Sequence, residues 1–464
     1  MPLRTPLQYA HTHLNRHMAE LLDFLRIPSI STQPERTPDV HRAADWLAES
    51  LRHAGLEHVQ VIATQRHPLV YADWLHAGPE KPTVLIYGHY DVQPAEPLAL
   101  WHTPPFEPVV IDDYIYARGA ADDKGQAYIH VKAVEAFLQG SGRLPVNVKF
   151  IMEGEEESGG ESLAAFVPQQ TALLAADVAV ISDTAMVSKD VPAIVYGLRG
   201  MCYILMDLTG PGRDLHSGGF GGGINNPINA LGHLLARLKD EEGHILIPGF
   251  YDKVRPLSAE ERAVLAKFPL DEAAWLAETG AAAAWGEPEY TLVERLGARP
   301  TLDVNGVIGG YTGPGSKTVL PSTVHAKISM RLVPDQDPLE VRDLFCRYVE
   351  SLLPPSIKVT FTFRGGAPAS ITDYNTPAVK AAERAYATVF GREPVLMREG
   401  GSIPVVGLFQ QHLGVETVLM GFGLPDDKIH APNERFYVPN YVRGIQTVIH
   451  FLAGLDAPGS MAQG

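Results

Sequence analysis

The sequence is poor in cysteine. Among its 464 residues only Cys202 and Cys346 occur. Two thiols cannot build a disulfide framework or a cysteine-rich zinc module. Each lies in an apolar segment, where a free thiol is expected to be buried and inert. Long apolar runs are missing too: nothing approaches the ~18 uninterrupted apolar residues of a membrane span. The opening Met1-Pro2-Leu3-Arg4 leads into a polar, histidine-rich stretch without the apolar centre of a signal peptide. Positive charge is in deficit, with 38 Lys and Arg against 54 Asp and Glu and a formal charge of −16. Such a balance excludes nucleic acid and an anionic membrane as the main partner. No internal repeat or low-complexity tract is visible. These absences predict a cytoplasmic protein, and they leave oxygen and imidazole as the ligands of any metal it holds.

A 45% hydrophobic and 20% charged composition describes an ordinary globular chain. Its length suggests two or three domains. Residues 7–26 carry Leu14, Met18, Leu21, Leu22 and Leu25 at helical spacing, and Pro28 stops the run. Residues 40–54 form a second helical pattern, with Gly55 as its cap. The run Thr83–Tyr87, bounded by Pro82 and Gly88, reads as a buried strand, as do Val146–Met152 and Val178–Ser182. A helix is expected over 124–139. Strands alternating with helices argue for an α/β layer architecture.

The pattern changes near residue 200. Met201–Leu208 reads as a strand, and a glycine-dense loop follows it. Asn226-Pro227 then opens a helix with a capping residue and a proline at the first position. Residues 323–333 alternate as a half-exposed strand should, followed by a helix (338–352) and a strand (357–363). An Ala/Glu-rich stretch at about 250–300, with two short helical segments, reads as an insertion. The β-α-β-α-β order predicts a smaller α+β domain over 199–372. It would interrupt an α/β domain built from 1–198 and 373–464.

Four segments carry chemistry. Gly88-His89-Tyr90-Asp91 places a histidine at a strand end, two residues before a carboxylate that could orient it. Asp122-Asp123 precedes a helix and could simply cap it, or could supply a bridging metal ligand. Glu153, Glu155, Glu156 and Glu157 crowd one loop among glycines. A solvated acidic loop would explain them, and so would bound dications with one free glutamate as a general base. The last group is Asp183, after the third strand, and His430 in a polar loop ending at Glu434. His, Asp and Glu at the ends of strands in one sheet suit two zinc or manganese ions.

The ordered set of motifs resembles the M20 metallopeptidases, within them the carnosinase and cytosolic non-specific dipeptidase group. Its pieces are Tyr-Gly-His-Tyr-Asp-Val-Gln-Pro-Ala (87–95), Arg-Gly-Ala-Ala-Asp-Asp-Lys-Gly (118–125), Glu-Gly-Glu-Glu-Glu-Ser-Gly (153–159), Asp-Leu-His-Ser-Gly (214–218), Arg-Glu-Gly-Gly-Ser-Ile-Pro-Val (398–405) and the His430 loop. The likeness spans about residues 10–455. It implies a zinc-peptidase-like α/β catalytic domain with a mixed, mostly parallel sheet flanked by helices. A ferredoxin-like α+β lid and dimerisation domain would interrupt it. It further implies two divalent ions per subunit, zinc first and manganese or cobalt as substitutes.

By that resemblance His89 and Asp183 hold one ion, Glu157 and His430 the other, and Asp122 bridges them through a cis peptide to Asp123. Asp91 orients His89. Glu156 is the general base that activates a bridging water. His216 enters the partner subunit's active site in a homodimer and stabilises the oxyanion. Arg331 clamps the substrate's terminal carboxylate, with Thr318, Gly401, Ser402 and Asn305 as further contacts. Asp183, where aminoacylases are expected to carry glutamate, favours the dipeptidase branch. Glu155 stands where an apolar or small residue is expected. The implied activity is hydrolysis of dipeptides or short peptides with a free C-terminal carboxylate. The alternatives are an N-acyl-amino-acid deacylase or carboxypeptidase of the same fold, or a silent binding protein. The last should have lost a ligand or the base, and all are present.

Overall fold

The computed structural model describes residues 3–456. Its chain divides into two compact units. The larger comprises the chain up to Tyr196, Thr372–Met397 and the segment from Leu408 onward; the smaller comprises Gly197–Ile371 and Arg398–Gly407. The sequence reading left residues 398–407 in the closing catalytic segment. They group with the inserted unit because its side chains and backbone grip them. Arg398 pairs with Glu261, Arg199 Nε donates to the Gly400 carbonyl (3.2 Å), and Arg331 Nη1 donates to Ser402 Oγ (2.9 Å).

The larger unit is built on a mixed sheet. Seven of its nine strands lie in the order Glu57–Ile62, Leu69–Trp74, Asn147–Glu153, Thr83–His89, Val178–Ile181, Thr417–Leu419, Ala193–Leu198. The four from Asn147–Glu153 to Thr417–Leu419 run parallel, and antiparallel pairings flank them. Val84, Ile86, Val148, Phe150, Val180 and Val418 are buried in one continuous core. Continuous apolar strands of this kind belong in a parallel sheet covered on both faces. The helix Lys124–Ser141 is buried along most of its length and contacts both the Thr83–His89 strand and the C-terminal helix Val438–Leu455. Gly88 makes this close approach possible. A Cβ there would lie 2.7 Å from that of Ala127. The N-terminal helical run is broken into Arg4–Thr12 and Leu14–Leu25 at His13, whose non-helical backbone (φ −101°, ψ 10°) ends the first helix.

The smaller unit has a four-stranded antiparallel sheet in the order Thr301–Gly309, Thr323–Leu332, Gly200–Thr209, Lys358–Ala367. Its buried positions alternate along Gly200–Thr209 and Thr323–Leu332, as one-sided burial requires. The helices Pro227–Leu235 and Pro338–Leu352 pack on the core face. Asn226 and Asp337 cap them through their side chains, with proline at the first helical position in both. The insertion holds three short helices, Ala259–Leu265, Glu272–Thr279 and Leu292–Gly297, where the sequence reading expected two. Side chains of Ser258, Asp271 and Thr291 cap them. Among the described residues no helix is long and apolar enough to cross a membrane.

Candidate metal centre

The parallel strands of the larger unit deliver the chemistry at their C-terminal ends, where open α/β sheets gather their sites. His89 closes the strand Thr83–His89, and the acidic turn follows Asn147–Glu153. Asp183 lies two residues beyond Val178–Ile181. Asp122 precedes the helix Lys124–Ser141, and the Asp122–Asp123 peptide is cis. His430 sits in a loop where Lys428, His430 and Asn433 all adopt positive φ (57°, 57° and 66°). Non-glycine residues rarely sit there, and a cluster of them marks a loop shaped by its surroundings.

Asp122 stands between the two histidines. Its Oδ1 lies 3.1 Å from His89 Nε2, and its Oδ2 lies 2.9 Å from His430 Nε2. Glu157 Oε1 is 3.3 Å from the same His430 nitrogen. Two groups of donor atoms result, each within 4.8 Å of one another: His89, Asp122 and Asp183, and Asp122, Glu157 and His430. His89 Nε2 and Glu157 Oε1 are nonetheless buried without a hydrogen-bond partner. Buried polar atoms left in this way call for an explanation. Donor atoms ~3 Å apart are spaced as ligands lie around an ion held at ~2.0–2.2 Å. Imidazole and carboxylate in these numbers suit zinc, manganese or cobalt, and the residues fit two divalent cations sharing Asp122.

Charge at the site agrees with that fit. Burial opposes ionisation of Asp122, but its contacts with His430 and His89 outweigh it and hold its pKa below the ordinary value. The same contact with Asp122, then that with Glu157, pushes His430 up to about 10, against burial. Burial, helped by Asp122 and Asp123, raises Asp183 well above the carboxylate range. Burial also lifts Glu156 to about 7, with Glu157, Asp91 and Asp122 adding to it and His89 opposing. A site with this many mutually repelling carboxylates has a strong electrostatic demand for cations.

The expected link between Asp91 and His89 takes a different form. The His89 Nδ1 hydrogen bond runs to the Asp91 backbone carbonyl (3.1 Å), and the Asp91 carboxylate lies 3.4 Å away. That carboxylate instead accepts the backbone N–H groups of Glu156 (3.2 Å) and Glu157 (3.1 Å). The side chain fixes the acidic turn, while its backbone fixes the ring.

Three supporting residues went unassigned in the sequence. Gln93 donates to Glu157 Oε2 at 2.7 Å. Glu434 is fully buried and accepts from Arg118 Nη1 (2.6 Å) and from the backbone N–H groups of Gly119, Ala121 and Asp122 (3.0–3.1 Å). It ties the loop of His430 to that of Asp122. Its position four residues after His430 was the available signal. Glu155, whose role the sequence left open, is buried and fully engaged.

In the smaller unit, His216 and Thr318 meet. They lie at paired two-residue strands, and the Ser217 N–H donates to the Thr318 carbonyl (3.0 Å). His216 is exposed, and its Nδ1 accepts from the Gly218 N–H (3.0 Å). The neutral ring therefore carries its proton on Nε2, free to donate outward. Arg331, on the face of the sheet away from the core, meets Ser402, and Gly401 stands in the same loop. Asn305 lies at a bulge in the edge strand, exposed, with no hydrogen bond to Arg331, Thr318 or Ser402.

Peptidase family M20/M25/M40 matches residues 85–454. The chain belongs to this family. It is an enzyme, a metallopeptidase of the M20 group. The human Beta-Ala-His dipeptidase is 33% identical over 97% of this chain and 92% of its own length. The structure of the di-peptidase Dug1p from Saccharomyces cerevisiae superposes with a TM-score of 0.82 at 30% identity, covering 98% of this chain and 99% of the other. An M20 metallo-carboxypeptidase from Sulfolobus solfataricus gives a TM-score of 0.83 at 34% identity, over 95% of this chain and 99% of its own.

Proposed function

We propose that this M20 enzyme is a dipeptidase, cleaving small peptides that carry a free C-terminal carboxylate. The observation that carries the reading is the division of Asp122, one oxygen toward His89 and the other toward His430. His89 and Asp183 would hold one divalent cation, Glu157 and His430 the other, with Asp122 shared. Zinc suits the donors best, and manganese and cobalt satisfy the same set. When bound, such a pair polarises a peptide carbonyl and makes water acidic enough to ionise near neutral pH.

The chain's own residues supply the rest. Glu156 takes a proton from the attacking water and returns it to the leaving amine. The Asp91 carboxylate holds the turn that carries Glu156. Arg331, oriented by Ser402 with Gly401 in the same loop, binds the substrate carboxylate bidentately, while Thr318 lies beside His216 as a further substrate contact and Asn305, apart from both, takes no part in that grip. His216, donated by a second copy, gives a hydrogen bond to the developing oxyanion. The edge strand Thr301–Gly309 supports pairing of two copies, since it leaves Val304, Val307 and Ile308 exposed along an unpaired edge. A reducing compartment such as the cytoplasm suits the free thiols of Cys202 and Cys346.

The names of the human and yeast relatives favour dipeptides. The Sulfolobus metallo-carboxypeptidase supports a second reading, in which longer peptides lose their C-terminal residue. Assaying a dipeptide, a tripeptide, a longer peptide and an N-acetyl amino acid side by side separates them. Dipeptide turnover well above the others is the expected result. Preference for the longer peptide or the N-acetyl compound would replace the proposal.

A further inference from the structure

We propose that Glu155 is a positioning residue for hydrolysis, its carboxylate locking the turn that carries Glu156 and Glu157 onto the loop 63–67. The inference rests on the reading of Glu156 as the base.

Glu155 is 1% exposed, between the end of the strand Asn147–Glu153 and the single helical turn Glu156–Ser158. A buried carboxylate is costly unless donors surround it. Three do. Glu155 Oε1 accepts from the His67 N–H (2.7 Å) and from Ser162 Oγ (2.6 Å), and Oε2 accepts from the Ser162 N–H (3.1 Å). Its backbone carbonyl accepts from the N–H groups of Ser158 (3.0 Å) and Gly160 (2.8 Å), which closes the turn. One residue thus fastens the turn to the loop before it and to the start of the helix Glu161–Phe166.

The opposite side of the turn is held by Asp91, through the N–H groups of Glu156 and Glu157. Two carboxylates therefore hold the turn of the proposed base, Asp91 through the Glu156 and Glu157 N–H groups and Glu155 through His67 and Ser162, and neither is the base. An apolar residue at 155 could fill space but could not accept from His67 and Ser162. Those buried donors would be left unpaired, and the turn would lose one of its two anchors. A displacement of ~1 Å at a reacting group costs about 10²-fold in rate.

The test compares Glu155→Gln, Glu155→Met and Ser162→Ala with the metal-loaded wild type, reading kcat, KM, metal content and melting temperature. Glu155→Gln and Glu155→Met are expected to lower kcat at least tenfold, with KM within about threefold and both metals retained. Ser162→Ala, which keeps the carboxylate and removes one donor, should lower kcat severalfold in the same pattern. Wild-type kcat in either Glu155 variant overturns the proposal. So does a kcat loss that follows metal loss or a fall in melting temperature across the three variants. Should neither Glu155 variant fold, Ser162→Ala decides alone, and wild-type kcat there overturns the proposal. Glu156→Gln is assayed beside them. If it retains turnover, the base assignment fails separately, whatever the Glu155 variants do.

Discussion

Asp91 Oδ1 accepts the backbone N–H of Glu156 at 3.2 Å, and its second oxygen accepts that of Glu157 at 3.1 Å. One buried carboxylate thereby sets the place of the proposed base and of a proposed metal ligand. Asp91→Asn keeps the shape but turns an amide NH2 toward one of these N–H groups. The expected result is a 10- to 100-fold loss of kcat, on the order of what misplacement of a reacting group costs. Steady-state kinetics alongside metal analysis checks it. Unchanged kcat with both metals bound would remove Asp91 from the mechanism.

Glu434 is the second organising carboxylate, and it is predicted to matter for stability. Glu434→Gln places an amide against four donors and leaves the buried Arg118 guanidinium without its ionic partner. Breaking such a buried pair costs about 3–5 kcal/mol. Urea unfolding should register most of that loss, and metal should be held less tightly because Asp122 loses its backbone anchor. A variant as stable as wild type would contradict the role.

A pH dependence follows from His430. In the cation-free protein Asp122 and Glu157 push its pKa up to about 10, so at neutral pH the ring carries a proton. A metal ligand must be neutral imidazole, and the proton therefore competes with the cation. The sign is that metal affinity rises with pH below the ring's pKa, by about tenfold per unit for each proton displaced. Calorimetry of metal binding between pH 6 and 8, in buffers of different ionisation enthalpy, should show proton release. Affinity independent of pH would show that the ring is already neutral and contradict its raised pKa.

His216 is predicted to act across the proposed dimer. His216→Ala should lower kcat about 10²–10³-fold, as loss of an oxyanion donor does. A mixed dimer of His216→Ala and Glu156→Ala subunits should recover one working site. No recovery above either parent would place the histidine's action within its own subunit.

Much of the fold was legible because burial imposes composition. Thr83–Tyr87 and Val178–Ser182 are short apolar, β-branched runs, and they are buried parallel strands. The strand Glu57–Ile62 was not, since its side chains are mostly exposed and its short Val59/Val61 alternation marks no buried face. Thr301–Gly309 escaped for a related reason: at the edge of its sheet, apolar and polar side chains alike face solvent. Leu69–Trp74 is buried throughout, but Asp73 breaks its apolar run, and that carboxylate is engaged by Tyr71 and His58. At the site, residue types and motif order pointed to His89, Asp122, Glu157, Asp183 and His430. What the sequence could not reveal was which loops meet. Glu434 acts on residues more than 300 positions earlier, and Glu155 reaches His67 across 88. Such contacts depend on where the strands end, and no local pattern encodes that.

A two-cation site shared through Asp122 is open to a single titration. Divalent metal is added stepwise to the metal-free enzyme while dipeptide hydrolysis is followed. Activity should rise to a plateau at two equivalents per chain, and Asp122→Ala should give no activity at any ratio. A plateau at one equivalent, or dipeptide turnover without added metal after exhaustive chelation, would contradict it.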